Sequence, residues 1–175
     1  MKYQIDQSGK IEQTEKPTVL AAANGKAYAV ILPAKEKRRL QEIFRKSGKP
    51  LLFIDAVFAV LLWNLIHEIS LKTIEVDTEY PGHTEIIQKM LQKLSTLETS
   101  LKWVRVGKAS KVHDIAYKIY KGKLKIGKIV HARNIEALAI KIAGGRLNTG
   151  LSPASRRSGP ASKIIVAKRH KKSRV

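Results

Sequence analysis

The stretch from Leu51 to Ile66 is the longest apolar run in the chain, and it constrains the fold more than any other feature. A helix that is apolar all round has to be buried all round. Asp55 and Asn64 interrupt this run, which is also shorter than the roughly 20 residues that a membrane span needs. We therefore predict a buried helix over residues 51–69, enclosed by other elements, and no membrane partner.

Patterns typical of strands lie on both sides of this helix. Asn24-Gly25 is a strong signal for a two-residue hairpin, and the stretches beside it are β-branched or apolar. Together with the alternating residues 2–6, they predict a three-stranded antiparallel meander. The remaining predicted elements are strands at 72–79 and 100–106 and helices at 34–46, 84–97, 111–120 and 135–143.

Basic residues dominate the charge of the chain and are unevenly placed. Lys and Arg number 34 against 14 Asp and Glu, a formal charge of +20. Residues 1–114 hold 18 basic and 13 acidic side chains, a net charge of +5. Residues 115–175 hold 16 basic side chains and one acidic, Glu136, a net charge of +15. This imbalance predicts a polyanionic partner.

The sequence lacks the signals of several other classes of protein. It has no cysteine, so a disulfide framework and a thiolate zinc site are excluded, and a cytoplasmic location fits. The first residues have no apolar segment after the lysine and are not expected to be a signal peptide. No glycine-rich phosphate loop, nucleophile elbow or zinc motif points to a metabolic enzyme.

The chain has only four aspartates: Asp6, Asp55, Asp77 and Asp114. Each lies at a predicted strand end or in the first turn of a predicted helix, so together they predict one acidic cluster. Purely structural interpretations also exist. Asp6 and Asp77 are at places where aspartate commonly forms turns, and Asp114 is in the first turn of a helix, where a negative charge interacts favourably with the helix dipole. Asp55 is harder to explain in this way, since an unpaired carboxylate inside an apolar helix is costly to bury.

This order of elements, with acids at these four places, resembles the ribonuclease H-like family, over roughly residues 2–120. In that family the acids lie on the first strand, on the helix after the meander, at the end of the fourth strand, and at the start of the helix after the fifth. The resemblance implies an α/β fold with a mixed five-stranded sheet flanked by helices. The compact segment between Asp77 and Asp114 is more similar to small archaeal or resolvase-type members. The chain departs from the family at Asp55, where Glu is usual, and in the basic helix at 34–46.

An active member of this family cleaves nucleic acid with two Mg²⁺ ions about 4 Å apart. The resemblance therefore implies that Asp6, Asp55, Asp77 and Asp114 are the catalytic and metal-binding residues, with Mg²⁺ as cofactor. His83, in the turn after Asp77, is within reach as a proton shuttle. Helical geometry is expected to point His113 away from that site.

The sequence after Gly144-Gly145 is rich in Gly, Ser, Pro, Arg and Lys and has almost no apolar period. We predict a domain over residues 1–143 and a basic extended tail over residues 144–175, similar to the tails of ribosomal proteins. The tail residues predicted to bind nucleic acid are Arg146, Arg156, Arg157, Lys163, Lys168, Arg169, Lys171, Lys172 and Arg174.

Two functions fit these features. The first is a structural RNA-binding protein that docks on folded RNA in a large ribonucleoprotein such as the ribosome. The second is a Mg²⁺-dependent endonuclease acting on RNA, RNA–DNA hybrid or branched DNA. A transposase or integrase fragment fits less well, because the chain lacks a separate DNA-reading domain. The charge distribution favours the first function narrowly.

Overall fold

A computed structural model describes residues 2–69, 73–94 and 100–144. Within these ranges the chain forms six strands and five helices of the α type. The strands are β1 Tyr3–Ser8, β2 Thr18–Asn24, β3 Lys26–Leu32, β4 Thr73–Asp77, β5 Ser100–Val104 and β6 Lys128–Ile129. The helices are α1 Ala34–Lys46, α2 Phe53–Ile69, α3 Thr84–Leu94, α4 Lys111–Tyr120 and α5 Ala132–Ile142, and a single 3-10 turn precedes α2.

The strands form one mixed sheet in the order β5-β4-β1-β2-β3-β6. The meander β1-β2-β3 is antiparallel, as the Asn24-Gly25 turn predicts. Strands β4 and β5 follow on the other side of β1 and run parallel to it. The prediction of an α/β fold with a mixed sheet flanked by helices is confirmed.

The prediction of five strands is wrong, because β6 extends the sheet beside β3. β6 runs parallel to β3, and the backbone N–H of Val130 donates to the carbonyl of Ile31 at 2.8 Å. The strand is only two residues long and both are exposed. Two residues are too few to form a period-two pattern, and the alternating residues 123–126 just before β6 lie outside any strand.

The helices cover the two faces of the sheet unequally. Helices α1, α2, α3 and α5 share one large core with the strand residues of one face, among them Ile5 and Val76. Of the described helices, α4 is the one that packs on the other face, where Val112, Ala116 and Ile119 contact small residues of β2 and β3. Because successive side chains of a strand point to opposite faces of the sheet, neighbouring strand residues belong to different cores.

Helix α2 occupies the centre of the larger core, as its apolar sequence predicts. Twelve of its 17 residues are buried, including Asp55. By length and composition alone, Pro50–Ile69 would also pass for a membrane-crossing helix. In this structure, 61% of its most apolar window is buried inside the protein.

Lys37 of α1 is fully buried and ties the loop between β1 and β2 to the helix. Its ammonium group donates to the carbonyls of Lys10 and Gln13, both at 2.8 Å, and to Thr18 Oγ1 at 2.9 Å. Burial lowers the pKa of Lys37 to about 8, although the negative charges of Glu15 and Glu12 oppose that change. The loop therefore depends on one buried cation.

We expect Lys37→Met to lower the free energy of unfolding at pH 7 by about 2 kcal/mol, because the buried acceptors lose their donor. Since the pKa of Lys37 is lower in the folded state, the unfolded chain binds more protons between about pH 8 and 10.5, and wild-type stability rises with pH there. The difference in the free energy of unfolding between the wild type and Lys37→Met should therefore be larger at about pH 9.5 than at pH 7, as measured by urea unfolding. The control, Lys35→Met on the exposed side of α1, should stay near the wild type. A gap that narrows at high pH would contradict this assignment.

Candidate functional site

Asp6 and Asp77 lie side by side on adjacent strands. β1 and β4 pair in parallel with Ile5 opposite Val76, so the next residue of each strand is an aspartate. Both carboxylates lie on the sheet face that α4 covers, because Ile5 and Val76 belong to the opposite core. Burial raises the pKa of Asp6; the charge of Asp77 raises it further, and a hydrogen bond from His113 opposes the change.

His113 covers Asp6 from the first turn of α4. Its Nδ1 donates to Asp6 Oδ2 at 3.0 Å, and its backbone N–H is capped by the hydroxyl of Ser110 at 3.2 Å. The expectation that His113 points away from the site is wrong. Val112 and Ala116 of α4 pack on the sheet, and this rotation of the helix turns His113 toward Asp6.

Asp114, the next residue, lies on the exposed side of α4. Its carboxylate accepts a hydrogen bond from Lys118, one turn further along, at 2.7 Å. Adjacent positions of a helix are about 100° apart, so the turn that brings His113 to Asp6 carries Asp114 outward. The structure therefore brings His113, rather than Asp114, to Asp6.

Asp55 is almost completely buried in the first turn of α2. Its Oδ1 accepts a hydrogen bond from His83 Nδ1 at 2.6 Å, and His83 lies in the turn that follows β4. The same turn contributes Tyr80, whose ring packs edge-on against Phe58 of α2, with 5.5 Å between the centroids. The predicted reach of His83 to one of the four acids is observed; its role as a proton shuttle stays a prediction.

Asp77 also fixes the loop that leads into α4. Its Oδ1 accepts the backbone N–H of Val106 at 2.7 Å. The neighbouring Thr78 donates to the carbonyl of Val104 through both its backbone N–H and its hydroxyl. The end of β4 thus positions the start of the chain segment that carries Ser110 and His113.

Glu79 is a further carboxylate of this region that the sequence analysis missed. Burial raises its pKa to about 7; Lys10 opposes this change, and Asp77, Asp6 and Glu12 add to it. We call Asp6, Asp77 and Glu79 the acidic cluster. Glu79 lies two residues beyond the end of β4, so strand alternation does not place it, and no local sequence pattern signals its position.

The acidic residues do not form a ready-made metal site in the described part of the chain. No group of three or more His, Asp or Glu side chains is arranged there to hold a metal ion. Asp6 and Asp77 offer the hard oxygen ligands that Mg²⁺ prefers, and they are neighbours. The assignment of Mg²⁺ to Asp6, Asp55, Asp77 and Asp114 stays a prediction.

The predicted nucleic-acid contacts from Arg146 to Arg174 lie outside the described residues. In the described part of the basic third, the lysines are concentrated from Lys118 to Lys128, a stretch that we call the lysine segment. Its five lysines are exposed: Lys118, Lys121, Lys123, Lys125 and Lys128. Lys121 Nζ lies 5.5 Å from the ring centroid of Tyr117, which is 46% exposed.

Comparisons with family models, with curated proteins and with solved structures found no match to this sequence. The functional assignment therefore rests on the sequence, the fold and the geometry of the site.

The orientation of α4 generates a prediction about stability. His113→Leu keeps most of the side-chain volume and removes the hydrogen bond to buried Asp6. We expect it to lower the free energy of unfolding by about 1–3 kcal/mol. Asp114→Asn removes only an exposed ion pair and should cost no more than about 1 kcal/mol. Urea unfolding of both variants at pH 7 measures the difference, and a larger loss for Asp114→Asn would show that α4 has the opposite rotation.

Proposed function

We propose that this chain is an RNA-binding protein, a structural component of a large ribonucleoprotein particle such as the ribosome. The observation that carries the proposal is the charge of residues 115–175, where 16 basic side chains accompany one acidic residue. A segment of this charge gains affinity for RNA by neutralising phosphates and releasing counterions. A ribosomal particle would place the protein in the cytoplasm.

We also propose that the core has the ribonuclease H-like fold. The support is the sheet order β5-β4-β1-β2-β3, with an antiparallel meander and two strands parallel to β1. Helix α2 follows the meander and α4 follows β5, which are the places of the acid-bearing helices in that family. The sixth strand is an addition at the edge.

The internal contacts of the acids favour a binding role over catalysis. Asp6 accepts from His113, Asp55 from His83, and Asp114 from Lys118. Asp114 is exposed and faces away from Asp6. In this arrangement the carboxylates hold parts of the protein together, and the basic surfaces remain for RNA.

The second candidate is a Mg²⁺-dependent endonuclease acting on RNA, RNA–DNA hybrid or branched DNA. It is favoured by the adjacent carboxylates of Asp6 and Asp77 and by the raised pKa values of Asp6 and Glu79. Perturbed carboxylates that gather at one end of a sheet are typical of functional sites. Bound Mg²⁺ would supply Lewis-acid activation of water, and Asp6 and Asp77 would be its first ligands.

One experiment separates the two candidates. Full-length protein is mixed with labelled folded ribosomal RNA, RNA–DNA hybrid and a four-way DNA junction, with Mg²⁺ or Mn²⁺, and both binding and cleavage are measured. We expect tight binding to folded RNA without cleavage, and unchanged binding for Asp77→Asn, which keeps the acceptor for Val106. Metal-dependent cleavage that Asp77→Asn abolishes would instead establish the endonuclease.

A second variant tests the tail. Glutamine replaces the nine basic residues Arg146, Arg156, Arg157, Lys163, Lys168, Arg169, Lys171, Lys172 and Arg174. If all nine contact phosphates, the slope of log affinity against log salt should become shallower by up to about 8, at roughly 0.9 for each contact. An unchanged slope would mean that the tail does not bind RNA.

A further inference from the structure

A groove of about 510 Å³ opens on the α4 side of the sheet. It lies where α4 begins, between the first half of β1 and the hairpin that joins β2 to β3. Its polar lining residues are Lys2, Gln4, Asn24, Lys26, Ser110 and Lys111. Among the described residues that line the groove, none is acidic. The groove is therefore a positively charged concave surface.

Two of its three lysines have uncompensated charges. Lys2 donates to Glu75 at 2.6 Å, so its charge is largely neutralised. Lys26 and Lys111 are exposed, and neither forms an ion pair within the described ranges of the chain. One lysine comes from the hairpin and the other from α4, so they approach the groove from two walls. Two cations facing a polar groove are complementary to an anionic ligand.

The groove is continuous with a basic stripe along α4. Positions 111, 114, 118 and 121 follow one another at helical spacing and are all exposed. The single acid among them, Asp114, is paired with Lys118. Over the roughly 15 Å length of the ten-residue α4, this stripe connects Lys111 to the lysine segment. The surface is long enough to contact more than one phosphate of a nucleic-acid strand.

We propose that this groove binds the backbone of RNA, with Lys26 and Lys111 contacting phosphates and the strand continuing along α4 toward Lys121. The proposal rests on the RNA-binding function proposed above and adds a second contact region, on the folded core, to the basic tail. Asn24 and Ser110 supply neutral polar groups for phosphate and sugar oxygens, whereas the amide of Gln4 already donates to Glu75 at 3.1 Å. The exposed ring of Tyr117, beside Lys121, offers a stacking surface for a base.

Lysine acetylation in the full-length protein tests the groove directly. Protein with and without a saturating single-stranded 20-nucleotide RNA is treated briefly with an acetylating reagent, and the modified lysines are quantified by mass spectrometry. We expect Lys26 and Lys111 to react at least about fivefold more slowly with RNA bound. The controls are Lys16, in the loop before β2, and Lys35, on α1 in the opposite layer, and both should react at nearly the free rate.

The outcomes separate this proposal from the proposed function. RNA binding without protection of Lys26 and Lys111 would overturn the groove and leave an RNA-binding protein that uses its tail. Failure of the full-length protein to bind any RNA would overturn both. Equal protection of all four lysines would mean a diffuse charge effect and would also overturn the groove. Protection by polyglutamate but not by RNA would assign the groove to an acidic peptide instead.

A matched pair of variants gives an independent readout. Lys26→Gln/Lys111→Gln and Lys16→Gln/Lys35→Gln remove the same charge from exposed positions, so neither is expected to impair folding. The first should make the slope of log affinity against log salt shallower by about 1.4, at roughly 0.7 for each single-strand contact. The second should leave the slope near the wild-type value. Identical slopes for the two variants would overturn the proposal.

Discussion

The parallel pairing of β1 with β4 is the interaction on which the rest of the site depends. It places Asp6 and Asp77 on neighbouring strands and on one face, where burial raises the pKa of Asp6 and the charge of Asp77 adds to that change. Each acid then orders a further part of the chain. Asp6 holds His113 and with it the first turn of α4, and Asp77 holds the backbone of Val106 in the loop before that helix. The acidic cluster is thus built into the fold.

The two faces of the sheet have different roles. The face covered by α1, α2, α3 and α5 contains the large apolar core and most of the buried apolar residues. The face covered by α4 has a smaller core, which leaves the hairpin between β2 and β3 exposed. Both the acidic cluster and the positively charged groove lie on this second face. Gly9 keeps α4 close to it, because a side chain there would collide with Pro17 and with the ring of Tyr120.

The sequence predicts the elements whose pattern is local. Asn24-Gly25 predicts the hairpin, and the apolar run after Leu51 predicts the buried helix. β6 is not predicted from the sequence, because Lys128–Ile129 becomes a strand through tertiary pairing with β3 rather than through its own residues. The choice between His113 and Asp114 depends on the rotation of α4, which is set by packing against β2. Glu79 belongs to the acidic cluster through the path of the chain after β4, which no local pattern specifies.

The most direct test of this arrangement is an NMR titration of the side-chain carboxyl groups of Asp6 and Glu79 in the wild type and in Asp77→Asn. If the three acids share one buried cluster, Glu79 titrates near pH 7, Asp6 titrates above its usual range, and both pKa values fall when Asp77 loses its charge. If both groups have ordinary pKa values, or if their pKa values do not change in Asp77→Asn, the carboxylates do not interact and the geometry of the site is contradicted.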